Sequence, residues 1–415
     1  MTVCAPARVD RRASPRPGGN RLGSLGRYPM FRRLWLGAFC GSVAQWMQQI
    51  AIGWLALTMT DSAAFVGIVT FSGGVPFLIV APLGGNLIDR SDRRRLMLIS
   101  QALAALLAVI VAFDVIAGSA RPTHLVAASF LNGSLQALLN PTQQSIVPAL
   151  VARDDLTNAV GLMSAGQNLT RILGPSLAGA AIGWLGVGEA FGLQAVALAV
   201  AFALVLGVEL PPRDPARMAA GGVFEGIRAI AARPDLRALF LHATLPTFLI
   251  FPYLGFLNVY ARDILHIGAS GLGLLMAVSG AGAVTGALLT AIRGWGAGAG
   301  KLLIGTALAY GVVIASAALS GSLLVMLPLL FCGSMTASFF MSGNNALVQH
   351  RIDDAIRGRV MGAYLLTLGL MPLGALPMGL LAGRVGVPWA IAGLATLSTF
   401  LVALLAISSR ALREL

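Results

Sequence analysis

Arg171 falls in the middle of an apolar run, residues 158–185, where it has no surface of its own. A guanidinium at that depth requires a carbonyl, an amide, a carboxylate or an anionic ligand. Amides recur in two other apolar runs at helical spacing. Gln45, Gln48 and Gln49 stand at i, i+3 and i+4, and Asn132, Gln136 and Asn140 at i, i+4 and i+8, so each set shares one helix face. Asn168 precedes Arg171 by three residues. Unpaired amides in hydrocarbon cost several kcal/mol each, so these faces must look into a helix bundle or a wet cavity. The chemistry they suit is recognition of a polar or anionic solute; hydrogen bonding between helices is the other reading. Asp114, near the end of the run 96–118, is a candidate proton carrier if buried and a plain interfacial carboxylate if not.

Nothing in the chain resembles a catalytic constellation. His124, His242, His266 and His350 are scattered, and Cys4, Cys40 and Cys332 form no CxxC or Cys/His cluster. No phosphate-cradling loop is present either. No enzyme activity, metal or cofactor is expected, and ATP is not the expected energy source.

The elements that position these residues follow from composition. The 415 residues are 57% hydrophobic and 11% charged, against roughly 25% charged in soluble domains. So few charges cannot cover a soluble protein of this size; lipid must solvate it. About twelve spans are expected, at 34–58, 64–88, 96–118, 123–149, 158–185 and 190–210, then 238–260, 270–292, 301–321, 323–349, 360–382 and 387–409. Of 29 Lys and Arg residues, one set of alternate loops holds only Arg121, Arg262 and Arg384. That asymmetry puts both termini on the cytoplasmic side of a plasma membrane. It also assigns the net charge of +13 to topology and anionic headgroups rather than to nucleic acid.

Residues 84–96 read Gly-Gly-Asn-Leu-Ile-Asp-Arg-Ser-Asp-Arg-Arg-Arg-Leu between the second and third spans. Gly85, Leu87, Asp89, Arg90, Arg93 and Arg94 resemble the signature between helices 2 and 3 of the major facilitator superfamily, with Asp92 where the family usually has glycine. The resemblance implies that this loop latches two halves of a transporter together on the cytoplasmic side. Gly174, Pro175 and Gly179 resemble the helix-5 antiporter motif of export members, and small residues four apart also permit close helix packing. The stretch from Asn140 to Gly179 is most similar to the enterobactin-exporter and secretion-effector branch. The arginine of the drug-antiporter helix-4 motif is absent.

The expected fold is an all-α polytopic membrane protein of two pseudo-symmetric six-helix halves. Residues 1–30 form a disordered basic tail, 31–210 the first half, 211–236 a cytoplasmic linker, 237–410 the second half and 411–415 a short tail. At an offset of 200, Asp154, Val160, Gly174 and Gly179 fall on Asp354, Val360, Gly374 and Gly379, the trace of a parallel repeat. The expected function is secondary transport by a monomer: proton-driven efflux of a small amphipathic or anionic solute, siderophore-like or drug-like, by alternating access. An importer of the same fold and a non-transporting membrane scaffold are the alternatives.

Overall fold

A computed structural model describes residues 23–210, 223–293, 298–352 and 354–413, with side chains described except at 80–90, 223–224, 354–359, 365, 366 and 368. Every regular element among them is helical. After α1 (Gly23–Arg27) come six long helices: α2 (Pro29–Thr60), α3 (Ala63–Arg90), α4 (Arg93–Ile116), α5 (Pro122–Leu150), α6 (Leu156–Trp184) and α7 (Val187–Leu206). A short α8 (Val223–Ala232) leads to α9 (Pro234–Leu249) and α10 (Leu257–Val259). Then follow α11 (Gly268–Arg293), α12 (Ala299–Ala318), α13 (Leu323–Arg351), α14 (Asp354–Val385), α15 (Val387–Ser408) and α16 (Arg410–Arg413).

The expected spans 34–58 through 387–409 coincide with these helices, with two departures. The run 238–260 is not one straight helix. Between α9 and α10 the chain tightens to a 3-10 turn at Phe251–Phe256, and past α10 it widens to a π turn at Tyr260–Ile264. Pro246 and Pro252 lie at the break, each removing a ladder donor. The basic tail, expected to run to residue 30, instead gives way to α1 at Gly23. Ser24 is buried and its hydroxyl donates to Asn158 (2.7 Å), a tertiary contact that local composition does not reveal.

Hydropathy varies among the helices for a reason that bears on function. Among the described residues, eight helices are long and apolar enough to cross a membrane: α4, α7, α9 with its continuation, and α11 to α15. α2, α5 and α6 are as long but fall below that apolarity, because they carry the glutamines, asparagines and Arg171. α3 has side chains described only to Ile79.

The halves meet along two seams, α3 against α14 and α6 against α11. Each seam is a glycine crossing. A Cβ on Gly67 would lie 2.7 Å from the Ala375 carbonyl oxygen and 2.9 Å from Gly379 Cα. A Cβ on Gly179 would lie 2.7 Å from the Ala269 carbonyl oxygen and 2.8 Å from Gly273 Cα. Such backbone-to-backbone approach is open only to residues without a side chain. Within the second half, Asn344 ties three helices: its Oδ1 faces His242 Nδ1 (3.2 Å) on α9, and its Nδ2 donates to the Tyr364 hydroxyl on α14 (2.9 Å) and to the Leu239 carbonyl (3.1 Å).

α1 is docked outside the spans. Arg27 Nη1 and the Tyr28 hydroxyl both donate to Asp155 Oδ2, at 2.7 and 2.8 Å. These bonds, the Tyr28 hydroxyl foremost, hold the Asp155 carboxyl below its usual range. A lowered folded value means the stabilisation is fully present above the unfolded pKa of about 3.9 and is lost as pH falls through the folded value. Hydrogen exchange, corrected for intrinsic rates, should therefore show α1 equally protected at neutral pH and about pH 5, and released only below about pH 4. Asp155→Asn should abolish that acid dependence.

Candidate functional site

α6 turns two opposed faces outward. Leu169, Leu173 and Leu177 are exposed on one side, as a lipid-facing stripe should be. Ser164, Gln167 and Arg171 are also exposed but lie roughly opposite, since two residues advance an α-helix by about 200°. A polar exposed stripe opposite the lipid stripe faces the protein's own cleft. Ser164 and Gln167 belong to it although their types alone gave no reason to select them; their spacing from Arg171, seven and four residues, was the available signal.

Arg171 sits at the α6–α11 seam. A Cβ on Gly280 would lie 2.8 Å from the Arg171 carbonyl oxygen, which brings α11 and α6 into contact at this level. One or two turns further along, Gly286 of α11 meets Met335 of α13 and Gly166 of α6 meets Trp35 of α2, each within its own half. Among the described residues the Arg171 side chain has no hydrogen bond or ion pair; its guanidinium lies 5.9 Å from the centroid of the Trp46 ring, a cation–π contact. Gly174 leaves room for that ring: a Cβ there would come within 2.5 Å of Trp46 Cβ.

The amides do not pair with one another. Gln45 and Gln49 are half-buried, Gln48 and Gln136 buried, and Asn132, Asn140 and Asn168 half-buried. Among the described residues, none of these side chains has a protein hydrogen-bond partner. On α5, Phe130 and Leu131 face outward, and Asn132, Gln136 and Asn140 lie on the other side of the helix. From the second half, Ser342, Asn345, Gln349 and His350 of α13 line an open recess of about 340 Å³. Tyr253 and Tyr260, by contrast, are buried, with their hydroxyls on Ser334 (3.3 Å) and the Ala318 carbonyl (2.5 Å).

The arginine-poor end, opposite the α3–α4 turn, is closed by more than glycine. Asn258 Nδ2 donates to the Gly53 carbonyl (2.7 Å), and Arg262 Nη1 to the Leu57 carbonyl (2.9 Å). The Leu57 carbonyl belongs to the last turn of α2, the negative end of its dipole, and the Gly53 carbonyl lies one turn further in. Asp61, the left-handed cap of α2 (φ 47), adds a carboxylate 2.9 Å from Arg262 Nη1. The irregular stretch between α9 and α11 thus hooks the end of α2.

Asp114 stands apart from this cleft. Its Oδ2 contacts His124 Nδ1 (2.8 Å) and its Oδ1 accepts from Ser119 (2.8 Å) at the end of α4. α4 packs on α5 and α7 of its own half. The structure does not bring Asp114 together with Arg171.

A profile described as transmembrane secretion effector, a branch of the major facilitator superfamily, matches residues 24–415. The chain belongs to this family. Its relatives include the staphyloferrin A transporter of Staphylococcus aureus, 23% identical over 87% of this chain and 92% of that protein. Macrolide efflux protein A of Streptococcus pyogenes is 23% identical over 86% and 90%. The enterobactin exporter EntS of Shigella boydii is 23% identical over 83% and 82%. Among solved structures, a POT family transporter in complex with 5-aminolevulinic acid aligns with TM-score 0.75 at 13% identity, covering 94% of this chain and 98% of that one. A bacterial homologue of the lysosomal transporter Spinster, inward-facing and occupied, aligns with TM-score 0.72 at 16% identity, covering 95% and 97%. These structures share the major facilitator fold.

The family's loop signature is described here in part. The side chains of Gly85, Asp89 and Arg90 lie outside the described residues. Arg93 Nη1 donates to the Ser145 carbonyl (2.8 Å) on α5, and Arg94 Nη2 to the Leu206 carbonyl (2.6 Å) at the end of α7. Both bonds stay inside the first half. Asp92, the departure from the usual glycine, caps α4: its carboxylate accepts from the Arg94 and Arg95 amides, at 2.9 and 3.1 Å.

Magnitudes separate the members of the hook. Asp61 is 81% exposed, and exposed ion pairs contribute about 0–1 kcal/mol. Arg262 and Asn258 reach backbone carbonyls and are shielded far more. In a cysteine-free background with one cysteine at position 49, Arg262→Gln and Asn258→Ala should each raise its labelling by an impermeant maleimide applied at the arginine-poor face. Asp61→Asn should change it little.

Proposed function

We propose that the protein exports a small amphipathic anion by alternating access, with Arg171 as the ligand for its charge. Arg171 carries the reading: an arginine on the face of α6 opposite lipid, whose guanidinium touches the Trp46 ring and has no hydrogen bond or ion pair among the described residues. A cation so placed attracts carboxylates or catecholates and repels cationic solutes. The relatives named for siderophore and macrolide transport are in keeping with cargo of this size and amphipathic character. The amides of α2 and α5 supply hydrogen bonds that water otherwise makes, which suits a polar solute held without a full charge on each contact.

In this proposal the arginine-rich end faces the cytoplasm, following the charge asymmetry of the loops, and the cleft opening there admits cargo. Cargo binding lets the glycine seams and the Arg262 hook release while the other end closes. The proton gradient is the proposed energy source. With Asp114 bonded to His124 and Ser119 away from the cleft, the coupling proton falls to Asp89 or to the cargo's own ionisation.

Proteoliposomes with an imposed pH gradient test both parts, using a panel of catecholate and carboxylate siderophores, macrolides and cationic dyes. Flux is expected for anionic members. Arg171→Gln should lower it by about 10- to 100-fold, the scale of one charge-assisted contact of 1.5–3 kcal/mol, and intact anion flux in that variant would overturn the assignment. Asp114→Asn, in the same assay, should leave gradient-driven flux within about twofold of the unsubstituted protein.

A further inference from the structure

Two tryptophans of α2 lie against glycines of α6, and they are held differently. A Cβ on Gly166 would lie 3.1 Å from Trp35 Nε1, and a Cβ on Gly174 would lie 2.5 Å from Trp46 Cβ. The two indoles therefore stand on the side of α2 that packs on α6, about three turns apart. Trp35 is satisfied as a packing residue. Its Nε1 donates to the Leu162 carbonyl (2.8 Å), and its ring stacks on Phe39 with centroids 5.6 Å apart. Trp46 is not satisfied in this way. It is half-buried, and its Nε1 has no protein hydrogen bond among the described residues, although buried indole N–H groups usually find one. The group over its ring is the Arg171 guanidinium, 5.9 Å from the centroid.

That distance is near the outer limit of a cation–π contact, about 6 Å, so the guanidinium leaves part of the indole uncovered. An aromatic surface with an open N–H edge, beside a cation, suits a ligand that brings a ring and a negative charge together. We propose that Arg171 and Trp46 form one subsite for an aromatic acid: the guanidinium takes the carboxylate or catecholate oxygens, and the indole takes the ring that carries them. This inference rests on Arg171 as the ligand for the cargo's charge and adds a condition on the cargo's shape, a flat ring next to that charge. Aromatic pairs settle with centroids about 4.5–7 Å apart, so a ring whose acid group sits on the guanidinium is within reach of the indole. An aliphatic anion of the same size meets the guanidinium equally well and gains only apolar contact from Trp46. Gly174 sets the pair, because its bare backbone, in the turn after Arg171, lets Trp46 lie against α6.

The probes are 2-naphthoate and decahydro-2-naphthoate, which share a carbon skeleton and a charge and differ in aromaticity. Binding of each to the detergent-solubilised protein is measured by equilibrium dialysis. The unsubstituted protein should bind 2-naphthoate about 3- to 10-fold more tightly than its saturated counterpart. W46L, which keeps an apolar side chain, should bring that ratio near one, and W46F, which keeps a ring, should retain most of it. R171Q should weaken both probes by about 10-fold or more. An unchanged ratio in W46L, alongside the loss in R171Q, would overturn the role of Trp46 and leave Arg171 as the charge ligand. Equal binding of the two probes by the unsubstituted protein, or no binding of 2-naphthoate, would overturn it as well. Undiminished binding of both probes in R171Q would instead remove the reading of Arg171 on which the subsite rests.

Discussion

Close approach of backbone to backbone at two glycine pairs is the constraint on which the arrangement of the halves depends. Gly67 meets Gly379, and Gly179 meets Gly273. In each pair a side-chain atom would sit inside the van der Waals shell of the partner's main chain, so the crossing exists only while both positions stay bare. The pairs also follow the internal symmetry. The second helix of one half meets the fifth of the other in both seams, as a two-fold relation between parallel repeats requires.

The polar interior follows from the same geometry. Polar side chains at membrane depth need a face that lipid does not touch. Side chains on such a face need not be apolar, because neighbouring helices or water meet them. This explains why α2, α5 and α6 carry amides and a guanidinium at membrane depth while α4, α7 and α15 are nearly uniform in hydrophobicity. The second half uses part of its polarity internally. Its asparagine and histidine at 344 and 242 are turned inward to join α9, α13 and α14.

Most of the architecture was legible in the sequence because long apolar runs and alternating loop charge are first-order signals. The amide stripes and Arg171 were legible for the same reason, each being polar where lipid forbids it. Gly179 and Gly379 stood out through the internal offset, and the structure shows them in equivalent crossings. Other features depended on partners distant in the chain. Arg262 read as one loop cation among three, and neither it nor Asn258 shows its role locally, since neither the break after α9 nor the end of α2 is encoded nearby. Asp114 drew notice as an acid in an apolar run, but ten residues on, His124 folds back to hold it. Ser24 lies in a basic stretch with no apolar pattern, and its burial against Asn158 needed the tertiary fold.

The hook at the arginine-poor end has a consequence for how such a protein diversifies. Asn258 and Arg262 grip the carbonyls of Gly53 and Leu57 rather than the side chains of those residues. A carbonyl is present whatever residue occupies the position. The inner face of α2 can therefore change, residue by residue, while the contact at its tip keeps the same acceptors. Side-chain identity and the contact at the helix end are in this way carried by different atoms of a single helix, and selection can act on one with little penalty to the other.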